Sequence, residues 1–332
     1  MISGTLFGLK YPLWQAPTGS IAGPELAAAV TGAGGMGAMA LTWASPAEAA
    51  AQIEQVRAQT IGPFQINFAL AFPPESLPAA LEAGAPVVTF SWGDPAPYLA
   101  QVRSAGAKVG VQVTNVEGAR RMAQIGVDFL ICQGIEAGGH VQSSQSLWTL
   151  LPQIVAAAEG LPVVAAGGIA DGQGVAHALR LGAAGAMLGT RFVATLESRA
   201  HPDYKARLVA AQADATALTV CFDGDWPYAA HRVLRNTTLE HWEAAGCPPV
   251  GARPGEADIV GTNANGEPIL RYADTAPRQG FTGDTSAMCQ YAGTGCTAIH
   301  DIPSAADLVL RLWQETQLEG IDRAALLHAS SL

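Results

Sequence analysis

Three short segments hold the residues whose types and spacing suit chemistry. The first, Cys132-Gln133-Gly134-Ile135-Glu136-Ala137-Gly138-Gly139-His140, is an apolar run that gives way to a polar, glycine-rich loop ending in histidine. Imidazole can donate, accept or carry charge near neutral pH, so His140 suits a general acid–base or an anion stabiliser. The other two are Ala166-Gly167-Gly168-Ile169-Ala170-Asp171-Gly172 and Leu188-Gly189-Thr190-Arg191-Phe192. Glycines let backbone N–H groups approach an anion with no Cβ in the way, and a helix start beside them adds partial positive charge. The three segments together describe a phosphate-bearing ligand held next to one histidine. His177, His201, His231, His241, His300 and His328 lie in helical or turn-rich contexts away from strand ends and read as structural.

Other chemistries lack their residues. A Schiff-base enzyme needs a desolvated lysine in its interior. The chain has three lysines: Lys10 precedes the first strand, Lys108 begins the fifth, and Lys205 lies in a later, turn-rich region. No H-x-H or H-E-x-x-H occurs, so no metal set is expected. A glycosidase needs two carboxylates at strand ends. Asp94 and Glu136 are the evident pair, and each sits in a turn where hydrogen bonding to backbone explains it. Few charges around a phosphate and a histidine suit a cofactor that does the electronic work while the protein orients it.

The elements that must position these loops are legible as a rhythm. Short apolar runs fall at 12–16, 37–41, 64–69, 87–90, 108–113, 129–132, 162–166 and 186–188. Such runs are what parallel strands covered on both faces require. Between them lie Ala-rich helical stretches, several opened by Pro or Ser and most closed by Gly. Eight strand–helix units predict an α/β fold, a (β/α)8 TIM barrel. Its active site is expected at the C-terminal strand ends, with phosphate at the loops after strands 7 and 8. An open doubly wound sheet would carry G-x-G-x-x-G after its first strand, where this chain reads QAPTGSIAGPE. The rhythm fails after Thr195. Residues 1–198 are therefore assigned to the barrel and 199–290 to an inserted, mostly helical subdomain or lid. Residues 291–332 are read as a C-terminal segment whose helix packs back on the barrel.

Of the 332 residues, 49% are hydrophobic and only 14% charged, enough apolar content for a large core. With 18 Lys+Arg against 28 Asp+Glu the formal net charge is −10, which disfavours a nucleic-acid partner. Five cysteines, widely spaced and without C-x-x-C, argue against a disulfide framework. No secretory pattern opens the chain and no apolar run is long enough for a membrane span, so a cytoplasmic protein without membrane contact is expected.

These segments resemble the nitronate monooxygenase family, formerly 2-nitropropane dioxygenases, which are FMN-dependent barrels. The resemblance rests on QAPTGSIAGPELAAAVTGAGGMGAMA (15–40), FQINFAL (64–70) and CQGIEAGGHVQ (132–142). It continues through VVAAGGIADGQGVAHALRLGAAGAMLGTRFVAT (163–195), HRVLRN (231–236) and YAGTG (291–295). It implies that Ala16, Pro17, Thr18 and Asn67 line the flavin and that Gln112 and Gln133 hydrogen-bond its ring or ribityl chain. Gly138 and Gly139 would pack against it, and Gly167, Gly168, Gly189 and Thr190 would hold the FMN phosphate. His140 would be the catalytic residue. The chain departs from the family pattern at Thr18, where Met is usual, at Val141-Gln142 after the histidine, and at Thr294, where Gln commonly follows the Gly.

The implied reaction oxidises an alkyl nitronate with O2 to a carbonyl compound and nitrite. An NAD(P)H-dependent FMN reductase of enoyl thioesters or quinones is the alternative, with Arg191, Arg232, Arg235, Arg253 and Arg271 as its available cations. A sugar-phosphate isomerase or epimerase would also use glycine loops, but it needs a carboxylate or lysine beside the reacting carbon, and the strand ends are poor in both. A homodimer is a further expectation. Trp226, Tyr228 and Tyr291 are expected to serve ordinary packing.

Overall fold

Strands rich in Val, Ile, Ala and Phe, apolar on both faces, need cover on both sides, and a closed parallel barrel ringed by helices supplies it. A computed structural model describes residues 6–321 apart from 225 and 227. His328, read from sequence as structural, lies outside the described residues. The barrel strands are β1 (Leu13–Gln15), β2 (Gly37–Ala40), β3 (Phe64–Ala69), β4 (Val87–Ser91), β5 (Lys108–Val113) and β6 (Phe129–Gln133). After a two-residue strand outside the barrel, β7 (Gly139–His140), it is completed by β8 (Val163–Ala166) and β9 (Gly185–Leu188). The order is β1-β9-β8-β6-β5-β4-β3-β2. A parallel bridge between Trp14 and Met36 closes the ring, with the Gln15 N–H donating to Met36 O at 2.9 Å. The eight runs read from sequence agree with these strands to within one residue at each end.

Helices follow the barrel strands in turn: α1 (Pro24–Gly32), α2 (Pro46–Gln59), α3 (Leu77–Glu82), α4 (Leu99–Ser104), α5 (Val116–Ile125), α6 (Leu147–Ala157), α7 (Gly172–Arg180) and α8 (Thr190–Val193). Several of their starts are set by side chains that satisfy free backbone N–H groups. Ser45 and Glu48 form a reciprocal capping box on α2; Asn115 caps α5 and Asp171 caps α7. Apolar faces of these helices meet the outer strand faces in one continuous core. Inside the barrel, Trp14, Met36, Phe129 and Met187 fill the floor, with the Trp14 and Phe129 rings 5.2 Å apart. Truncating Phe129 to Ala there should cost about 3–5 kcal/mol.

Residues 199–290 hold α9 (Pro202–Val209) and α10 (Thr237–Ala244). They also hold strands that the turn-rich pattern hid: β10 (Thr216–Thr219), β11 (His231–Leu234), β12 (Ile259–Thr262), β13 (Pro268–Leu270) and β14 (Thr282–Gly283). The region therefore mixes helix and strand, where a mostly helical one is expected from sequence. The strands form two three-stranded sheets, β10-β11-β7 and β13-β12-β14. They run four residues or fewer, too short for an alternating pattern to stand out. In the first sheet β11 pairs antiparallel with β7, His231 opposite His140 and Arg232 opposite Gly139. On the other side of the region, Tyr204 and Leu208 of α9 pack with Ile21, Ala170, Val193, Cys296 and Ile299 near the barrel mouth. The last helix, α11 (Ala305–Leu318), buries Leu308, Leu312 and Trp313; Trp313 lies 5.5 Å from the Tyr11 ring.

Candidate active site

The loops leaving the C-terminal strand ends enclose a cavity of about 470 Å³, within the roughly 300–1,000 Å³ usual for small-molecule sites. Ala16, Pro17 and Thr18 after β1, Asn67 on β3, Gln112 on β5 and Gln133 on β6 all line it. So do Gly138, Gly139, His140, Gly167, Gly168, Gly189 and Thr190. Every site residue read from the sequence therefore borders one space.

Gly167 and Gly168 adopt φ +126° and +69°, left-handed values that side chains rarely tolerate. Gly138 is needed for a different reason: a Cβ there would lie 2.4 Å from Gly293 N. The 291–295 segment thus closes directly over the loop after β6, and the Thr190 hydroxyl accepts from Gly293 N–H at 2.9 Å. An accepting hydroxyl keeps its own proton to donate elsewhere. Gly189 is unstrained, and a Cβ there would make only 3.5 Å contacts.

The polar side chains divide their bonds between the fold and the cavity. Gln133 donates to His140 O at 3.1 Å and accepts from Gln142 N–H at 3.0 Å, so it clamps the histidine loop. Gln112 Nε2 donates to Gln142 Oε1 at 2.8 Å. Asn67 Nδ2 donates to Thr89. Thr18 Oγ1 is buried without a hydrogen-bond partner, as is His140 Nε2. Buried polar atoms left bare in this way are costly unless something bonds to them.

His140 is ringed by aromatic groups. Trp226 stacks on it at 4.3 Å, Trp92 meets it edge-on at 6.0 Å, and Tyr291 and His231 lie at 5.7 and 5.4 Å. Burial, helped by His231, pulls its pKa from 6.5 down to about 3, so the ring is neutral at physiological pH. His231 is itself fully buried. Its Nδ1 lies 2.9 Å from Ala229 O, and its Nε2 accepts from Phe222 N–H at 3.2 Å. Those two bonds hold it as a neutral structural ring, as the sequence suggests, although it neighbours the key histidine.

Two expectations about aromatic residues change. Trp226 and Tyr291, expected to serve ordinary packing, both line the cavity and touch His140; only the fold brings the 199–290 region over the barrel mouth. Tyr228 is 92% exposed. Trp92 escapes the sequence reading, although its place directly after β4, at the catalytic end of the barrel, is a signal that could have found it. Its φ of +59° is rare outside glycine and costs roughly 1–3 kcal/mol.

The ionisable groups weighed from the sequence are committed. Glu136 accepts from Leu147 N–H at the start of α6, and Asp94 accepts from Ala96 N–H and pairs with Arg121. Arg191 bonds Ala194 O and Asp301, Arg232 bonds Ile135 O, and Arg235, Arg253 and Arg271 pair with Glu243, Asp223 and Asp258. Lys205 is buried and donates to Thr195 O and Ser198 O at 2.6 and 2.7 Å.

A glycine cradle, the bare Thr18 hydroxyl and a low-charge cavity fit a bound flavin: the cradle suits its phosphate and the hydroxyl its polar ring edge, which leaves His140 Nε2 free for a substrate. Fold and site thus define a (β/α)8 barrel whose mouth can hold a flavin-sized cofactor beside a buried histidine. The nitronate monooxygenase family model matches residues 3–79 and 73–315. Nitronate monooxygenase of Pseudomonas aeruginosa is 32% identical over 93% of this chain and 97% of its own. A (3aS,4S,5R,7aS)-5-hydroxy-7a-methyl-1-oxo-octahydro-1H-indene-4-carboxyl-CoA dehydrogenase of Mycobacterium tuberculosis is 36% identical over 72% of this chain and 67% of its own. Among solved structures, FabK from Thermotoga maritima superposes with a TM-score of 0.81 at 29% identity, covering 95% of each chain. Nitroalkane oxidase from Streptomyces ansochromogenes follows with 0.76 at 28% identity, covering 94% of this chain and 97% of that one. The chain belongs to the nitronate monooxygenase family.

Proposed function

We propose that the protein is an FMN-dependent nitronate monooxygenase, converting alkyl nitronates and O2 to carbonyl compounds and nitrite. Two nitronates and one O2 balance as two carbonyls and two nitrites. The observation that carries the reading is His140: a neutral imidazole with a bare, buried Nε2 in the same cavity as the glycine cradle.

Gly167, Gly168, Gly189 and Thr190 hold the FMN phosphate, Gly138 and Gly139 pack against the cofactor, and Ala16, Pro17, Thr18, Asn67 and Gln112 border its ring and ribityl chain. Gln133 acts through the loop it clamps. A bound flavin would supply the redox chemistry that links the nitronate to O2. A neutral His140 donates its single N–H to a nitronate oxygen. The imidazolium form is disfavoured by the burial that lowers its pKa. The five arginines named for a pyridine-nucleotide phosphate bind carboxylates or backbone carbonyls.

Spectra of the purified protein test this reading. Heat should release FMN, and anaerobic propyl-2-nitronate, but not NADH, should bleach the flavin. In air the same substrate should yield nitrite. Bleaching by NADH alone would overturn the reading in favour of a reductase.

A further inference from the structure

One wall of the cavity is a continuous run of rings. The Trp43 and Phe72 centroids lie 5.6 Å apart, Phe72 and Trp226 5.3 Å, and Trp226 and Trp92 4.6 Å, before the run ends on His140. Trp43 is 61% exposed, so the array leads from solvent to the imidazole. All four rings line the cavity, which among the described residues is bordered by no lysine or arginine and by a single acidic residue, Asp274. The left-handed backbone at Trp92 supports the same point, because strain of that kind persists where the surroundings impose it.

We propose that this wall binds the substituent on the reacting carbon, and that the preferred substituent is flat and uncharged, an aryl or bulky apolar group. The inference rests on the nitronate reading and narrows its substrate class. Aromatic faces favour another ring by area and by edge-to-face geometry. A carboxylated chain would instead enter a space to which, among the described residues, no lysine or arginine is turned.

The test uses the flavin-loaded enzyme. Nitronates of phenylnitromethane, 2-nitropropane and 3-nitropropionate are compared by oxygen uptake, and kcat/KM is expected to be highest for phenylnitromethane and lowest for 3-nitropropionate. Phe72→Ala, with Trp43→Ala as a more exposed second variant, should cut the aryl-to-alkyl ratio about tenfold, mainly through KM. A parent enzyme that prefers 3-nitropropionate, or variants with an unchanged ratio, overturns the proposal. Calorimetric binding of nitrobenzene, which has no acidic carbon proton, gives a second readout without turnover. If no nitronate is oxidised but nitrobenzene binds the parent and binds Phe72→Ala at least tenfold more weakly, the nitronate reading fails and the aromatic site stands. Equal nitrobenzene binding to both removes the aromatic site.

Discussion

At the scale of single residues, His140 is the group we propose to act on the substrate, and its surroundings tune it. Its pKa of about 3 follows from burial among rings, with His231 adding to it. Oxidation of a nitronate should therefore show no acid limb from this group near pH 6.5; a kcat/KM profile with such a limb would contradict a neutral imidazole. The same depression has a stability consequence. Below about pH 6.5 the unfolded chain binds a proton at this site that the folded chain refuses, so stability falls as pH drops from 6.5 toward 3. His140→Gln should flatten that part of a denaturant-midpoint-versus-pH curve. The glycines separate two kinds of need. Gly138→Ala forces a Cβ against Gly293 backbone, so lower thermal stability and weaker flavin retention are expected together. Gly189→Ala meets no tight contact; its apo-protein should melt as the parent does, while FMN affinity falls at least tenfold if the phosphate sits there. Unchanged affinity would remove Gly189 from the phosphate site.

At the scale of elements, two connections hold the site together. The two-residue strand β7 pairs with β11, which fixes His140 opposite His231, and Gln133 bonds the same loop from the end of β6. The start of α8 is joined to the 291–295 segment through Thr190 and Gly293. Thr190→Val keeps the side-chain volume but leaves a buried N–H without its acceptor, at a cost of about 1–3 kcal/mol. Thermal melts of the apo-protein should reveal that loss, and an unchanged midpoint would show the contact to be dispensable. Thr190 and Gly293 are 103 residues apart in the chain, which is why no local pattern announces their contact.

At the scale of the whole molecule, the region after α8 is anchored as well as draped. The buried Lys205 ammonium on α9 donates to carbonyls at 195 and 198. Lys205→Met would strand those acceptors, and a melting midpoint several degrees lower is expected; a midpoint equal to the parent's would mean the region does not depend on that anchor. The barrel itself was legible in the chain because buried parallel strands and capped helices leave local signatures of run length, Pro, Ser and Gly. The glycine loops and His140 were legible for a related reason, since barrel topology places every βα loop at one end. The small strands of 199–290, the partnership of His231 with His140, and the aromatic wall were not. Trp43, Phe72, Trp92 and Trp226 come from four separate loops and meet only when the ring closes and the later region folds across its mouth. Local spacing therefore dictates the scaffold and the glycine loops, whereas the aromatic wall arises from contacts between distant segments, which only the tertiary fold brings together.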